Sequence, residues 1–183
     1  MTKYDLKVTN CVVSCDTHSK YVLEDLAAKL IKAEYNPESF PGLVYRLDEP
    51  KASILVFSTG KLICSGSKSK DQARVAIENT LRDFKKHDIK VSDQLDISIV
   101  NMVASAALER KLDLNKIVFK LPECEYEPEQ FPGVVHRIHE PKLVFLLFSS
   151  GKIVITGAKS VDMIKEGIEV IRKELEDIDA FKD

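Results

Sequence analysis

Two asparagines sit where asparagine is least expected. Asn10 lies within Val8-Thr9-Asn10-Cys11-Val12 and Asn101 within Ile99-Val100-Asn101-Met102-Val103. Both segments otherwise read as strands, from which asparagine is depleted. A bulge or turn is the ordinary reason for one such residue. Retention at the same spot in two segments favours a symmetric hydrogen-bonding role, for which an amide supplies both donors and acceptors. Four phenylalanines are matched in the same way. Phe40 and Phe131 each precede Pro-Gly at the tip of a turn, where a large ring is costly to expose. Phe57 and Phe148 lie in strands, where core packing is the usual fate.

Catalytic chemistry has little support. His136 and His139 are three apart on a strand and so face opposite sides, and their counterparts in the other half of the chain are Tyr45 and Asp48. There is no metal-ligand cluster, nucleophile elbow or phosphate loop; Gly60-Lys61 and Gly66-x-Lys68 lack the Walker spacing. Four cysteines are too few for a disulfide scaffold in 183 residues. Cys11 and Cys15, four apart on a strand, are separated by about 13 Å, too far to bridge. Cys64 and Cys124 read as small hydrophobes. The expectation is a binding protein with no catalytic residue, no metal and no cofactor.

The elements that position these residues are written twice. Glu34-Tyr35-Asn36-Pro37-Glu38-Ser39-Phe40-Pro41-Gly42 returns as Glu125-Tyr126-Glu127-Pro128-Glu129-Gln130-Phe131-Pro132-Gly133. RLDEPK (46–51) returns as RIHEPK (137–142), and FSTGKLICSGSKS (57–69) as FSSGKIVITGAKS (148–160), always at an offset of 91. Laying 5–87 over 96–178 without a gap gives 31 identities in 83 positions, against about five by chance. Each half, 1–91 and 92–183, is therefore expected to form the same β-α-β-β-β-α unit, an α+β arrangement with antiparallel strands.

Within a unit the pattern predicts a first strand over 5–14 (96–105). A helix follows, with apolar positions at Val22, Leu23, Leu26, Ala27, Leu30 and Ile31, or Leu114, Ile117, Val118 and Leu121 before Pro122. Three strands come next, near 43–48, 52–58 and 61–66, or 134–139, 143–149 and 152–157, with turns at Glu49-Pro50 and Thr59-Gly60 and their copies. A long helix closes each unit. Ser69 with Gln72 reads as a capping box, and Ile164, Ile168, Ile171, Leu175 and Ile178 form an apolar stripe.

The strands do not alternate as a sheet covered on one side should. Ile54-Leu55-Val56-Phe57, Phe145-Leu146-Leu147-Phe148, Leu62-Ile63-Cys64 and Ile153-Val154-Ile155 are apolar at every position. Two helices per unit can cover one face only. The other must be buried between repeats, buried in a dimer, or kept for a ligand.

Charge argues in two directions. The net charge of −2 is unusual for a nucleic-acid binder. Residues 1–91 carry 15 Lys+Arg against 12 Asp+Glu, whereas 92–183 carry 12 against 17. A mildly basic half and an acidic half suggest two different partners. No apolar run approaches the roughly 18 residues that span a bilayer, and residues 1–7 lack a signal-peptide core, so a cytoplasmic protein without membrane contact is expected.

The paired E-Y-x-P-E-x-F-P-G, E-P-K, F-S-x-G-K and G-x-K-S blocks resemble the TATA-binding protein family over essentially the whole chain, Asp5 to Ile178. The short N-terminus and the acidic end, Glu174 to Asp179, resemble its archaeal branch. That resemblance implies one curved antiparallel sheet, a saddle with helices on the convex side, that grips the A/T-rich TATA element of double-stranded promoter DNA. The family is itself the reference case for minor-groove kinking by apolar wedges. By motif, Phe40 with Phe57 and Phe131 with Phe148 would be the wedges. Asn10 and Asn101 would donate to groove acceptors. Val12, Val103, Leu55, Leu146, Ile63, Val154, Ser65 and Thr156 would line the groove. Arg46, Arg137, Lys61, Lys152, Lys68 and Lys159 would approach phosphates. Glu127 and Glu129 would dock transcription factor B, which with RNA polymerase completes the implied partners. The competing reading is a two-repeat regulatory domain that binds a small molecule.

Overall fold

The β-branched and leucine-rich segments on either side of each Gly or Pro turn form strands, and the computed structural model describes them from residue 3 to residue 182. Met1, Thr2 and Asp183, the outermost residues of the expected repeats 1–91 and 92–183, lie outside the described residues. The chain divides into two compact units, residues 10–100 and residues 101–183 with 1–9.

A short 3-10 turn (Lys3–Asp5) leads into β1 (Lys7–Asp16), α1 (Leu23–Lys29), β2 (Ala33–Glu34), β3 (Leu43–Asp48), β4 (Lys51–Val56), β5 (Lys61–Ser67) and α2 (Lys70–Lys86). The second copy supplies β6 (Asp96–Ala107), β7 (Lys111–Leu112), α3 (Leu114–Lys120), β8 (Cys124–Glu125), β9 (Val134–His139), β10 (Lys142–Leu147), β11 (Lys152–Ala158) and α4 (Val161–Asp177), followed by β12 (Phe181–Lys182). The expected β-α-β-β-β-α order is present twice, with α+β class and antiparallel pairing within each unit. In the unit 10–100 the strands lie in the order β2-β3-β4-β5-β1, and in the other unit β6-β11-β10-β9-β8. The two-residue strands β2, β8, β7 and β12 were not expected from the sequence.

Both long helices start at a serine cap. Ser69 Oγ accepts from the Gln72 N–H and Ser160 Oγ from the Met163 N–H, both at 3.1 Å, a contribution of about 1 kcal/mol each. Their apolar stripes bury Ala73, Ile77, Leu81 and Phe84, and Ile164, Ile168, Ile171 and Leu175, against one face of each sheet. Gly167 admits Leu143, whose Cδ1 would lie 2.3 Å from a Cβ there; the equivalent pair in the first repeat is Ala76 and Ala52. The short helix α1 departs from expectation. Val22 is its exposed N-cap, Leu30 turns extended at its C-cap, and Ile31 is fully exposed. Seven residues make only two turns, so the stripe cannot extend to either end.

Candidate nucleic-acid interface

Burial alternates along β3, β4 and β5. Leu43, Tyr45, Ile54, Val56, Leu62 and Cys64 are buried on the helix side. Between them Val44, Ser53, Leu55, Phe57, Ile63 and Ser65 are half-buried and belong to the opposite, open face. Directly opposed residues share a face, so strand register joins these positions into rows. In the first unit one row runs Ser14, Ile63, Leu55, Val44, and the next runs Ser65, Ser53, Arg46. The second unit repeats them as Ser105, Val154, Leu146, Val135 and as Val103, Thr156, Val144, Arg137. Val12, half-buried between Cys11 and Val13, shares the open side of the first unit. All eight apolar or hydroxyl residues that the family resemblance would place along a groove thus stand on open faces. Ser14, Ser53 and Val44, with Ser105, Val144 and Val135, stand there too and were missed, although strict alternation from Leu55 and Ile63 reaches them.

The asparagines sit beside β-bulges. Register slips between Cys11 and Val13 opposite β5, and between Thr156 and Ala158 opposite β6. The extra residue in each case is a glycine with positive φ, Gly66 at +95° and Gly157 at +96°, a conformation that glycine adopts without penalty. The Gly66 N–H donates to Asn10 Oδ1 at 3.0 Å and the Gly157 N–H to Asn101 Oδ1 at 2.7 Å. On the other side Asn10 Nδ2 donates to Ser65 Oγ at 3.4 Å, and Asn101 Nδ2 to Thr156 Oγ1 at 3.3 Å. The bulge and hydrogen-bonding readings therefore coincide. A backbone N–H can meet only the amide oxygen, so the amide orientation is fixed and a second Nδ2 proton remains on the open face.

Each pair of phenylalanines meets edge to face. The Phe40 and Phe57 ring centroids are 6.0 Å apart at 68°, those of Phe131 and Phe148 5.7 Å apart at 67°. Phe40 and Phe131 are 37% and 36% exposed; Phe57 and Phe148 are half-buried. The rings rest on Gly42 and Gly133, where an added Cβ would lie 2.7 and 2.9 Å from the nearer ring carbon. The Phe-Pro-Gly sequence thus places a bare backbone under each ring pair. Beside Phe148 a concavity is lined by Pro132, Ser105, Val154 and Lys152, and also by Asp5 and Lys7, which pair at 3.3 Å. No repeat signal marks Lys7, whose counterpart is Ser98.

Lys61, Lys152, Lys68 and Lys159 are exposed. Arg46 and Arg137 are exposed as well but engaged: their Nη1 groups donate to Glu34 and, at 2.8 Å, to Glu125. Glu34 also raises the Arg46 pKa further through that hydrogen bond and its charge. Glu127 and Glu129 are exposed in the turn between β8 and β9, where the Glu127 carbonyl accepts from the N–H groups of Gln130 and Phe131. Glu123, at the start of the same acidic stretch, holds His139 at 2.9 Å, which depresses its carboxyl pKa. His136 lies on the buried side, with Nε2 2.9 Å from Glu174 and Nδ1 3.2 Å from Cys124 Sγ. Its counterpart Tyr45 donates to Asp83 at 2.6 Å, so both units tie sheet to long helix at one matched position. Burial, with Glu174 adding, pushes the Cys124 thiol up to about 11, far from a nucleophile at neutral pH. Among the described residues no His, Cys, Asp and Glu cluster could hold a metal ion, and no helix is long and apolar enough to cross a membrane.

A duplicated α+β unit whose sheet offers an open apolar face, oriented amides and paired phenylalanines defines a two-repeat protein with a surface built for binding. The family model described as Transcription factor TFIID (or TATA-binding protein, TBP) matches residues 5–87 and again 96–178. The TATA-box-binding protein of Methanobrevibacter smithii is 43% identical over 179 residues, covering 98% of this chain and 99% of that one. The TATA-box-binding protein of Methanothermobacter thermautotrophicus is 43% identical with the same coverage. The solved structure of Methanococcus jannaschii TBP is similar with a TM-score of 0.88 and 44% identity, over 94% of this chain and 98% of that one. The chain belongs to the TATA-binding protein family of transcription factors.

Proposed function

We propose that this chain initiates transcription by binding A/T-rich promoter DNA in the minor groove, each unit contributing its open sheet face. The observation that carries the reading is the pair of oriented amides set among apolar rows. A·T pairs offer only acceptors in the minor groove, whereas G·C adds the guanine N2 amine. Donors from Asn10 and Asn101 suit the first. Apolar walls from Val12, Leu55, Ile63, Val103, Leu146 and Val154, with Ser65 and Thr156, leave most guanine amines unpaired. The names of the relatives, TATA-box-binding proteins, support the same ligand.

In this reading Phe40 with Phe57, and Phe131 with Phe148, enter base steps and kink the duplex. Unstacking costs a few kcal/mol per step, and burying a phenylalanine returns about 1.5–3 kcal/mol, so four rings roughly offset two kinks. Net affinity then comes from the groove walls and from phosphate contacts by Arg46, Arg137, Lys61, Lys152, Lys68 and Lys159. The acidic turn with Glu127 and Glu129 recruits transcription factor B, and RNA polymerase follows through that complex. A duplex carrying an A/T-rich element and a fluorophore at each end tests the reading. Binding is expected to raise energy transfer by bending the duplex; binding with unchanged transfer would refute the wedge mechanism, and no preference over G/C-rich duplex would refute the function.

A further inference from the structure

The two guanidinium groups expected to meet phosphate are already occupied. Glu34 on β2 stands opposite Val44 on β3, and Glu125 on β8 opposite Val135 on β9. Val44 and Val135 belong to the open rows, so both carboxylates lie on the open face. Arg46 and Arg137 follow two residues along on the same side of β3 and β9. Each arginine donates Nη1 to its glutamate.

We propose that Glu34 and Glu125 are built-in competitors of DNA phosphate for Arg46 and Arg137, and so set how strongly each unit grips the backbone irrespective of base sequence. Both pairs recur at the same positions of two repeats that differ at most of their residues. Both are exposed, with arginine side chains 56% and 45% open and glutamates 69% and 67%. An ion pair that open adds little to folding, which leaves its effect to fall on what the guanidinium binds. Among the described residues Lys61, Lys68, Lys152 and Lys159 have no carboxylate partner within ion-pair distance, so the competition is confined to the two residues able to bind phosphate in a bidentate fork. An incoming phosphate must displace the carboxylate or share the guanidinium with it and meet its repulsion. Phosphate contacts carry no sequence information, so relieving the competition should strengthen binding to any duplex.

This inference rests on the proposed function, and a double-mutant cycle separates the two. Affinity for an A/T-rich and a G/C-rich duplex is measured at fixed salt for the parent, E34Q/E125Q, R46A/R137A and the quadruple variant, with circular dichroism as a check on folding. The glutamine variant is expected to bind both duplexes about two- to fivefold more tightly per site, and the gain is expected to vanish without the arginines. Weaker binding by E34Q/E125Q would mean that the glutamates position the arginines, and an equal gain without the arginines would mean that they repel DNA directly; either overturns the proposal. An R46A/R137A protein with parental affinity would instead remove the arginines from the phosphate contacts and refute that part of the functional reading itself.

Discussion

Gly157 donates its backbone N–H to the side-chain oxygen of Asn101 at 2.7 Å, and the bulge that makes this possible exists because Gly157 holds a φ of +96°. The bond removes the amide's freedom to flip. What the open face receives is a donor, held in place by a main-chain N–H on the neighbouring strand.

Asn101→Asp tests that consequence. The carboxylate keeps an acceptor for Gly157, so the fold should survive, with a melting temperature within a few degrees of the parent. The donor is replaced by a charged acceptor facing groove acceptors, so affinity for an A/T-rich duplex should fall at least about tenfold. A fluorescence-polarisation titration beside a thermal melt reads both; parental affinity would show that the amide does not face DNA.

Two phenylalanines three residues apart should behave oppositely. Phe145 is fully buried beneath α4 and Phe148 is half-buried on the open side. Phe145→Ala should cost about 3–5 kcal/mol of stability. Phe148→Ala should leave a folded protein that no longer bends an end-labelled duplex. Unfolding by Phe148→Ala would make that ring part of the core and refute the wedge role proposed for it.

Much of this was legible because the chain states it twice. The strands 43–48 and 134–139 were placed to the residue, and the uncovered face followed from apolar runs such as Ile54 to Phe57 that no alternating strand would show. The Asn10 and Asn101 bulges were half-legible: Gly66 and Gly157 interrupt strands, a recognised bulge signal, but the partner amide lies more than fifty residues away. The Glu34–Arg46 and Glu125–Arg137 pairs were illegible, since they depend on two-residue strands whose existence is decided by pairing with β3 and β9 rather than by local propensity. Val22 and Ile31 misled in the other direction, extending an apolar stripe past the ends of a helix that stops after seven residues.

Acid should expose the cap of α3. Asp113 accepts from the Lys116 N–H at 3.1 Å, and this bond, helped by Lys182, lowers its carboxyl pKa below the ordinary value. A depressed carboxyl contributes stability that is complete above the ordinary aspartate range and is lost as pH falls through the lowered folded value. Asp113→Ala should therefore melt below the parent at neutral pH, with the gap closing below about pH 4. A gap that stays constant to pH 2 would show that the cap carries no charge-dependent share.

Glu127→Arg with Glu129→Arg should separate DNA binding from partner binding. Removing two carboxylates from a turn near Phe131 should leave duplex affinity intact or slightly raised. Joining of transcription factor B to the protein–DNA complex should fall sharply, as complementary charges become repulsive. A gel supershift at parental factor concentrations would place the docking surface elsewhere.

The central claim, readout of the minor groove by apolar walls and oriented donors, meets its most direct test in a duplex where every A·T pair of the element is replaced by I·C. Inosine presents a guanine-like major groove but lacks the N2 amine, so its minor groove matches that of A·T. Polarisation titrations should give I·C and A·T duplexes affinities within a few-fold of each other, with the G·C duplex weaker by about a thousandfold or more. An I·C duplex bound as poorly as G·C would contradict minor-groove readout.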